Sequence, residues 1–243
     1  MNLRDGWALR PCLNQIAGCA LAAGCLWAML ATVGCGIGAG VRVADRPAAP
    51  AHPLVTVQSS LDPQARVKAL ETLRTDALRL PPTDQTQIAT GLAEVIQSEK
   101  DPYMRVEIVR TLGAFPGAAA TQALARCGDD ESKEVRIACC QVWGDRHEPA
   151  DREGLARVVA EDSSLDVRLA AVRGLANHPG QESEQALAVA LNDKDPALQY
   201  RAVRSLQKLT GRRLGNDVAL WRDMLNSGTP APRSESIAER FAW

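Results

Sequence analysis

The sequence predicts an all-α fold, an α-solenoid of about five stacked helix pairs over residues 61–226. Three observations carry this. A short segment recurs along the chain with spacings of 39, 31, 32 and 31 residues. Within each copy, apolar residues fall at offsets 0, 4 and 8, which share one face of a helix. Each copy is preceded by a residue suited to cap a helix N-terminus.

The copies begin at Asp62-Pro63, Asp101-Pro102, Ser132-Lys133, Ser164-Leu165 and Asp195-Pro196. Three residues later stand Ala65, Met104, Val135, Val167 and Leu198, followed at offset 4 by Ala69, Ile108, Cys139, Ala171 and Ala202. Offset 8 holds Leu73, Leu112, Trp143, Leu175 and Leu206. Asp62, Asp101, Ser132, Ser164 and Asp195 are the expected N-caps, and three precede a proline at the first helical position. A second apolar-periodic helix follows each copy, at about 84–98, 118–127, 151–161, 181–191 and 216–225. Pro81-Pro82, Pro116-Gly117, Pro149 and Pro179-Gly180 punctuate the turns between them. The first spacing of 39 predicts a longer turn near Leu80-Pro81-Pro82. Trp221, on the last second helix, is expected to pack on Leu209 and Leu225. Hydrophobic residues make up 46% of the chain and aromatics only 4%. That balance suits close-packed helices and suits strands poorly.

The scheme of Asp-Pro, then Val-Arg, then Ala-Ala-Val and Leu resembles HEAT repeats of the short bacterial kind. The clearest copy is Asp166-Val167-Arg168-Leu169-Ala170-Ala171-Val172-Arg173-Gly174-Leu175. The resemblance covers residues 61–226 and implies an α-solenoid that binds other proteins. It departs at Gln199, where the other units carry arginine, which marks the last unit as a terminal cap. Arg66, Arg105, Arg136 and Arg168 form a column with two readings. It is a ladder of cations for an acidic ligand, or each arginine pairs with a loop carboxylate such as Asp101, Asp130 or Asp162. HEAT repeats use the position structurally, and the second reading is preferred.

Residues 1–35 look like an address. Arg4 and Arg10 precede a nearly unbroken apolar run from Leu13 to Val33, the layout of an export signal. The run is also long enough to cross a hydrocarbon core of about 30 Å as a helix. Thr32-Val33-Gly34-Cys35 resembles a bacterial lipobox, with Cys35 as the lipidated residue, although Thr32 stands where leucine is usual. Segments ending at Cys19 and Cys25 show the same pattern. Lipidation at Cys35, an uncleaved anchor helix and ordinary signal cleavage all remain open. Each places the body outside the cytoplasm by the positive-inside rule, at a bacterial cell envelope. Residues 36–60, with Pro47, Pro50 and Pro53, read as a flexible tether, and residues 227–243 as a flexible tail.

Charge and motifs argue against chemistry. The formal net charge is −1, without the basic footprint of a nucleic-acid binder. The second helices are rich in carboxylates, including Glu94, Glu153, Glu161, Glu182 and Glu184, which repel phosphate. No CxxC, nucleophile elbow or phosphate loop occurs. Cys127, Cys139 and Cys140 read as small buried hydrophobes. HEAT-like hydroxylases bind two irons through several His-Glu pairs. This chain has one, His147-Glu148, with His52 and His178 elsewhere. The expectation is therefore no catalytic residue, metal or cofactor, and a protein partner on the concave second-helix face, with the membrane reached through the N-terminal anchor. The rival class is a HEAT-like enzyme, a bilin lyase type or a metal-dependent hydroxylase.

Overall fold

A computed structural model describes residues 52–227. The chain divides into a unit of residues 1–47 and a unit of residues 48–243, and the described residues all belong to the second. The expected lipobox, the apolar run and the C-terminal tail lie outside the described residues. Among those described, no helix is long and apolar enough to cross a membrane.

Eleven α-helices and no strand occur in the described residues: α1 (Pro53–Ser59), α2 (Pro63–Asp76), α3 (Pro82–Ser98), α4 (Pro102–Leu112), α5 (Ala118–Cys127), α6 (Lys133–Asp145), α7 (Pro149–Glu161), α8 (Leu165–Leu175), α9 (Gln181–Leu191), α10 (Pro196–Thr210) and α11 (Val218–Ser227). The even-numbered helices are the first helices of the five pairs. They pack in chain order, α2 on α4, α4 on α6, α6 on α8 and α8 on α10. The odd-numbered helices form a second layer, α1 on α3 and so on to α9 on α11. This is the two-layer stack of an α-solenoid, in which no pair buries its apolar face alone.

The periodic residues form the core between the layers. Met104, Val135, Val167 and Leu198 are buried, as are all five residues at offset 4 and all five at offset 8. Ala65, at the start of the first unit, is half-buried. Trp221 is fully buried, with its indole N–H donated to the Gly215 carbonyl at 2.9 Å.

Three details differ from the sequence reading. The segment read as tether to residue 60 ends in a helix. His52 accepts the Leu54 N–H through Nδ1, Pro53 starts the helix, and Leu54 and Val57 are buried against α2 and α3. The folded body therefore reaches back at least to Pro53. The long first unit does not have a longer turn, because five residues separate α2 from α3 and five separate α4 from α5. Its extra length sits in the helices, with 14 and 17 residues in α2 and α3 against 11 and 10 in α4 and α5. Pro82 and Pro149 open α3 and α7 two residues earlier than the periodicity indicates, since proline is pre-set for the first helical turn.

The stack is tightest between α6 and α8. A Cβ placed on Gly144 lies 2.7 Å from the Gly174 Cα, and one on Gly174 lies 2.8 Å from a Leu155 methyl. Two glycines face each other at this joint, so the backbones meet directly. At the preceding joint Gly113 faces Val142 instead.

Candidate functional site

The arginine column is built into the joints between pairs. Arg105 Nε and Nη2 donate to the two carboxylate oxygens of Asp130, both at 2.9 Å, and Nη2 also reaches Glu131. Arg136 grips Asp162 in the same way at 2.8 and 3.2 Å. Arg168 reaches Asp193 through a single contact at 3.4 Å, and Arg66 pairs with Glu99. Each arginine thus ties the first helix of one pair to the loop that leads into the next. Each also donates backward to backbone carbonyls. Arg105 bonds the Glu99 and Lys100 oxygens, Arg136 those of Asp130 and Glu131, Arg168 that of Asp162, and Arg66 that of Val57. In the last pair Gln199 keeps the carbonyl bond, to Asp193 at 2.7 Å, and makes no carboxylate contact among the described residues.

The carboxylates form a column of their own. Glu99, Asp130, Asp162 and Asp193 stand five residues before Met104, Val135, Val167 and Leu198. Each accepts the backbone N–H two residues on, at Asp101, Ser132, Ser164 and Asp195. One side chain therefore orders the loop and anchors the neighbouring pair. Asp101 is not an arginine partner. Its carboxylate caps α4 by accepting the Tyr103 N–H at 3.0 Å, and Glu99 takes the ion pair. Asp62 and Asp195 cap α2 and α10 likewise, through Gln64 and Ala197. Ser132 and Ser164 occupy the cap positions without making the bond, and the Ser132 hydroxyl turns to Glu134 instead.

The electrostatics follow the geometry. The Asp130 carboxylate holds the Arg105 guanidinium above its ordinary value, and Asp162 does the same for Arg136. Burial works to raise the Glu99 carboxyl. The N–H groups of Asp101 and Arg66 outweigh it and hold the group below its ordinary value. The thiols are inert by the same logic, since burial pushes Cys127 and Cys140 up to about 12 and Cys139 well above its ordinary value. His178 is buried with Nε2 2.8 Å from the Trp143 carbonyl, while exposed His147 stacks obliquely on it, ring centres 5.6 Å apart. Among the described residues, no group of three or more His, Cys, Asp or Glu converges as metal ligands would.

Clefts lie on both layers; on the first-helix layer, one of about 430 Å³ between α4 and α6 includes Tyr103 and Gln141. On the second-helix layer, a groove of about 380 Å³ runs between α3 and α5, lined by Thr90, Ala93, Gln97, Ala119, Gln122 and Arg126 among others. A second cleft, of about 630 Å³, lies between α1 and α3 and shares Thr90 and Glu94 with the first. The two flank α3, and α1 supplies one wall. The sequence reading reached this layer but not the α1–α3 cleft, because α1 was read as tether.

The sequence profile of HEAT repeats matches residues 89–171 and again residues 152–239. This chain belongs to the HEAT-repeat family. The two matches overlap on residues 152–171, in α7 and α8. The crystal structure of an engineered protein is similar over 65% of this chain and 78% of that one, at 18% identity and a TM-score of 0.43. No curated protein matches the chain. As a HEAT-repeat protein it has a fold that generally mediates protein–protein interaction.

Proposed function

We propose that this HEAT-repeat protein is a non-catalytic scaffold at a bacterial cell envelope. In this reading it holds a protein segment in the groove between α3 and α5, with residues 1–35 as its tether to the membrane. One observation carries the binding role. The arginine and carboxylate columns are spent on joining pairs, while the second-helix layer leaves a groove whose lining is mostly uncharged, with Glu94, Arg126 and the ladder's Asp130 as its charged members. Grooves of this kind accept an extended or helical segment of a partner. The envelope role is supported by the apolar run behind Arg4 and Arg10 and by the lipobox-like sequence at Cys35.

Site-specific photo-crosslinking in intact cells tests the binding role. A crosslinker at Gln122, in the groove, is expected to capture a discrete protein that a crosslinker at Glu71, on the other layer, does not. Ala119→Arg, which fills the groove, is expected to abolish capture without lowering the melting temperature. Equal capture from both positions, or capture that survives Ala119→Arg, overturns the assignment. The tether is tested by detergent-phase partitioning, which Cys35→Ala is expected to abolish. An intact mass that retains residues 1–34 contradicts the lipidated form and favours an anchor helix.

A further inference from the structure

The first-helix layer ends in a basic surface. Residues 196–216 contain Arg201, Arg204, Lys208, Arg212 and Arg213 and not one carboxylate. α8 adds Arg173. The two helices are held in register, because the Ser205 hydroxyl donates to the Val172 carbonyl at 2.8 Å and Lys208 Nζ donates to Asn177 Oδ1 at 2.6 Å. Arg173 and Arg204 stand at the same place in their units, six residues after Val167 and Leu198, and both are exposed. No carboxylate of the described residues pairs with Arg173, Arg201 or Arg204, whereas every arginine of the ladder is paired. Beside them Tyr200 is 49% exposed.

The other positions six residues into a unit differ. Arg110 is matched by Glu107 of its own helix at 2.7 Å, and the remaining two are Glu71 and Gln141. The positive surface is therefore confined to α8 and α10. It also faces away from the acidic second helices, where Glu153, Glu182 and Glu184 lie.

We infer that the α8–α10 face of the first-helix layer is a docking surface for an acidic protein segment, one carrying Asp or Glu beside an apolar residue. Charge complementarity sets the class. Arginines outnumber the lysine, and the guanidinium fork matches a carboxylate in two-point geometry. Two features favour a peptide over a phosphate backbone or a lipid surface. The patch spans only two helices, so its footprint is that of a short segment. An exposed tyrosine lies among the arginines, and Tyr with Arg is the pairing enriched where protein interfaces concentrate their binding. The surface is distinct from the α3–α5 groove, so either assignment can fail without the other.

The experiment uses the full chain in detergent micelles, with a fluorescent peptide of alternating Glu and Leu and the matching Lys-Leu peptide. Vesicles of phosphatidylglycerol and a single-stranded oligonucleotide serve as competing classes. The Glu-Leu peptide is expected to bind, to weaken as salt is raised through the range where screening takes hold, and to be preferred to the Lys-Leu peptide. The double variant R173E/R204E is expected to lose about tenfold or more in affinity, consistent with removing two desolvated charge contacts. K68E, an exposed position on α2 at the far end of the first-helix layer, is expected to bind normally. Matching circular dichroism and melting temperature show that both variants are folded. Four results overturn the inference. The wild type does not bind the acidic peptide, or R173E/R204E binds it undiminished. Vesicles or oligonucleotide bind while the peptide does not. The wild type self-associates through this face in sedimentation and the peptide does not compete.

Discussion

Replacing Arg136 by glutamine isolates the contribution of one rung of the ladder. Gln199 supplies the rationale. It stands at the equivalent position of the last pair and keeps the backward bond to a loop carbonyl without an ion pair. Arg136→Gln should likewise keep a carbonyl bond to Asp130 and delete the grip on Asp162, together with the longer bond to the Glu131 carbonyl. That grip is two-pronged, at 2.8 and 3.2 Å, between side chains 15% and 6% exposed. Removing one member of a buried pair costs about 3–5 kcal/mol, because the remaining charge is left without compensation. Asp162 retains the Ser164 N–H at 2.8 Å, which places the expected loss near the low end, ~3 kcal/mol. Arg168→Gln is the control. Its contact with Asp193 is single, 3.4 Å long and more exposed, so its loss should stay within ~1 kcal/mol. Urea unfolding followed by circular dichroism reads the difference. With a denaturant slope of about 2 kcal/mol/M, Arg136→Gln should lower the midpoint by ~1.5 M and Arg168→Gln by ~0.5 M or less. Equal shifts, or a larger shift for Arg168→Gln, would refute the reasoning that burial and two-point geometry set the strength of each rung.

Gly144→Ala should lower the melting temperature, because its methyl meets the Gly174 backbone at 2.7 Å. Overpacking of about 1–3 kcal/mol outweighs the gain in helix propensity, and an unchanged or higher melting temperature counts against the close approach. Asp101→Ala should cost ~1 kcal/mol through its lost cap bond to Tyr103, and Ser132→Ala only a few tenths, since Ser132 makes no such bond. Equal losses in chemical denaturation would contradict the assignment of caps. Glu99 gives a pH dependence. Its carboxyl is held below the ordinary 4.5 when folded, so its contribution is complete above that value and is lost as pH falls through the lower folded one. The stability gap between wild type and Arg66→Gln should therefore be flat from neutral pH to about 5 and shrink below 4.5. A gap that widens on acidification would reverse the sign and exclude this pairing.

The stack was legible because its signals repeat. Asp62-Pro63, Asp101-Pro102 and Asp195-Pro196 mark helix starts, and the residues at offsets 4 and 8 mark the buried face in every unit. What escaped was what repeats faintly or points outward. α1 is a single short helix with two buried side chains, hidden behind Pro47, Pro50 and Pro53, and a lone pair of apolar residues carries no periodicity. The carboxylate column of Glu99, Asp130, Asp162 and Asp193 was present as a fixed spacing. Asp130 and Asp162 were read from it as arginine partners, and Glu99 was missed because it is a Glu and the nearby Asp101 is the more conspicuous acid. The basic surface on α8 and α10 escaped because a net charge near neutrality conceals layers of opposite sign. Only the fold separates Arg173 and Arg204 from the glutamates of α7 and α9.

The meeting of Gly144 with Gly174 sets the angle between the two halves of the molecule. The α3–α5 groove lies on one side of this joint, and α10, with most of the basic face, lies on the other. In a stack where each pair touches only its neighbours, a rotation at one joint is carried undiminished to the ends. Spreading the helices there by ~1 Å, across an interaxial spacing of about 9 Å, turns one half by ~6° relative to the other. Two pairs further on, at a depth of about 10 Å each, that turn becomes a displacement of ~2 Å. A methyl group at residue 144 would then act as a shim. It would change the distance that a partner gripping both surfaces must span, while leaving every residue of either surface as it was.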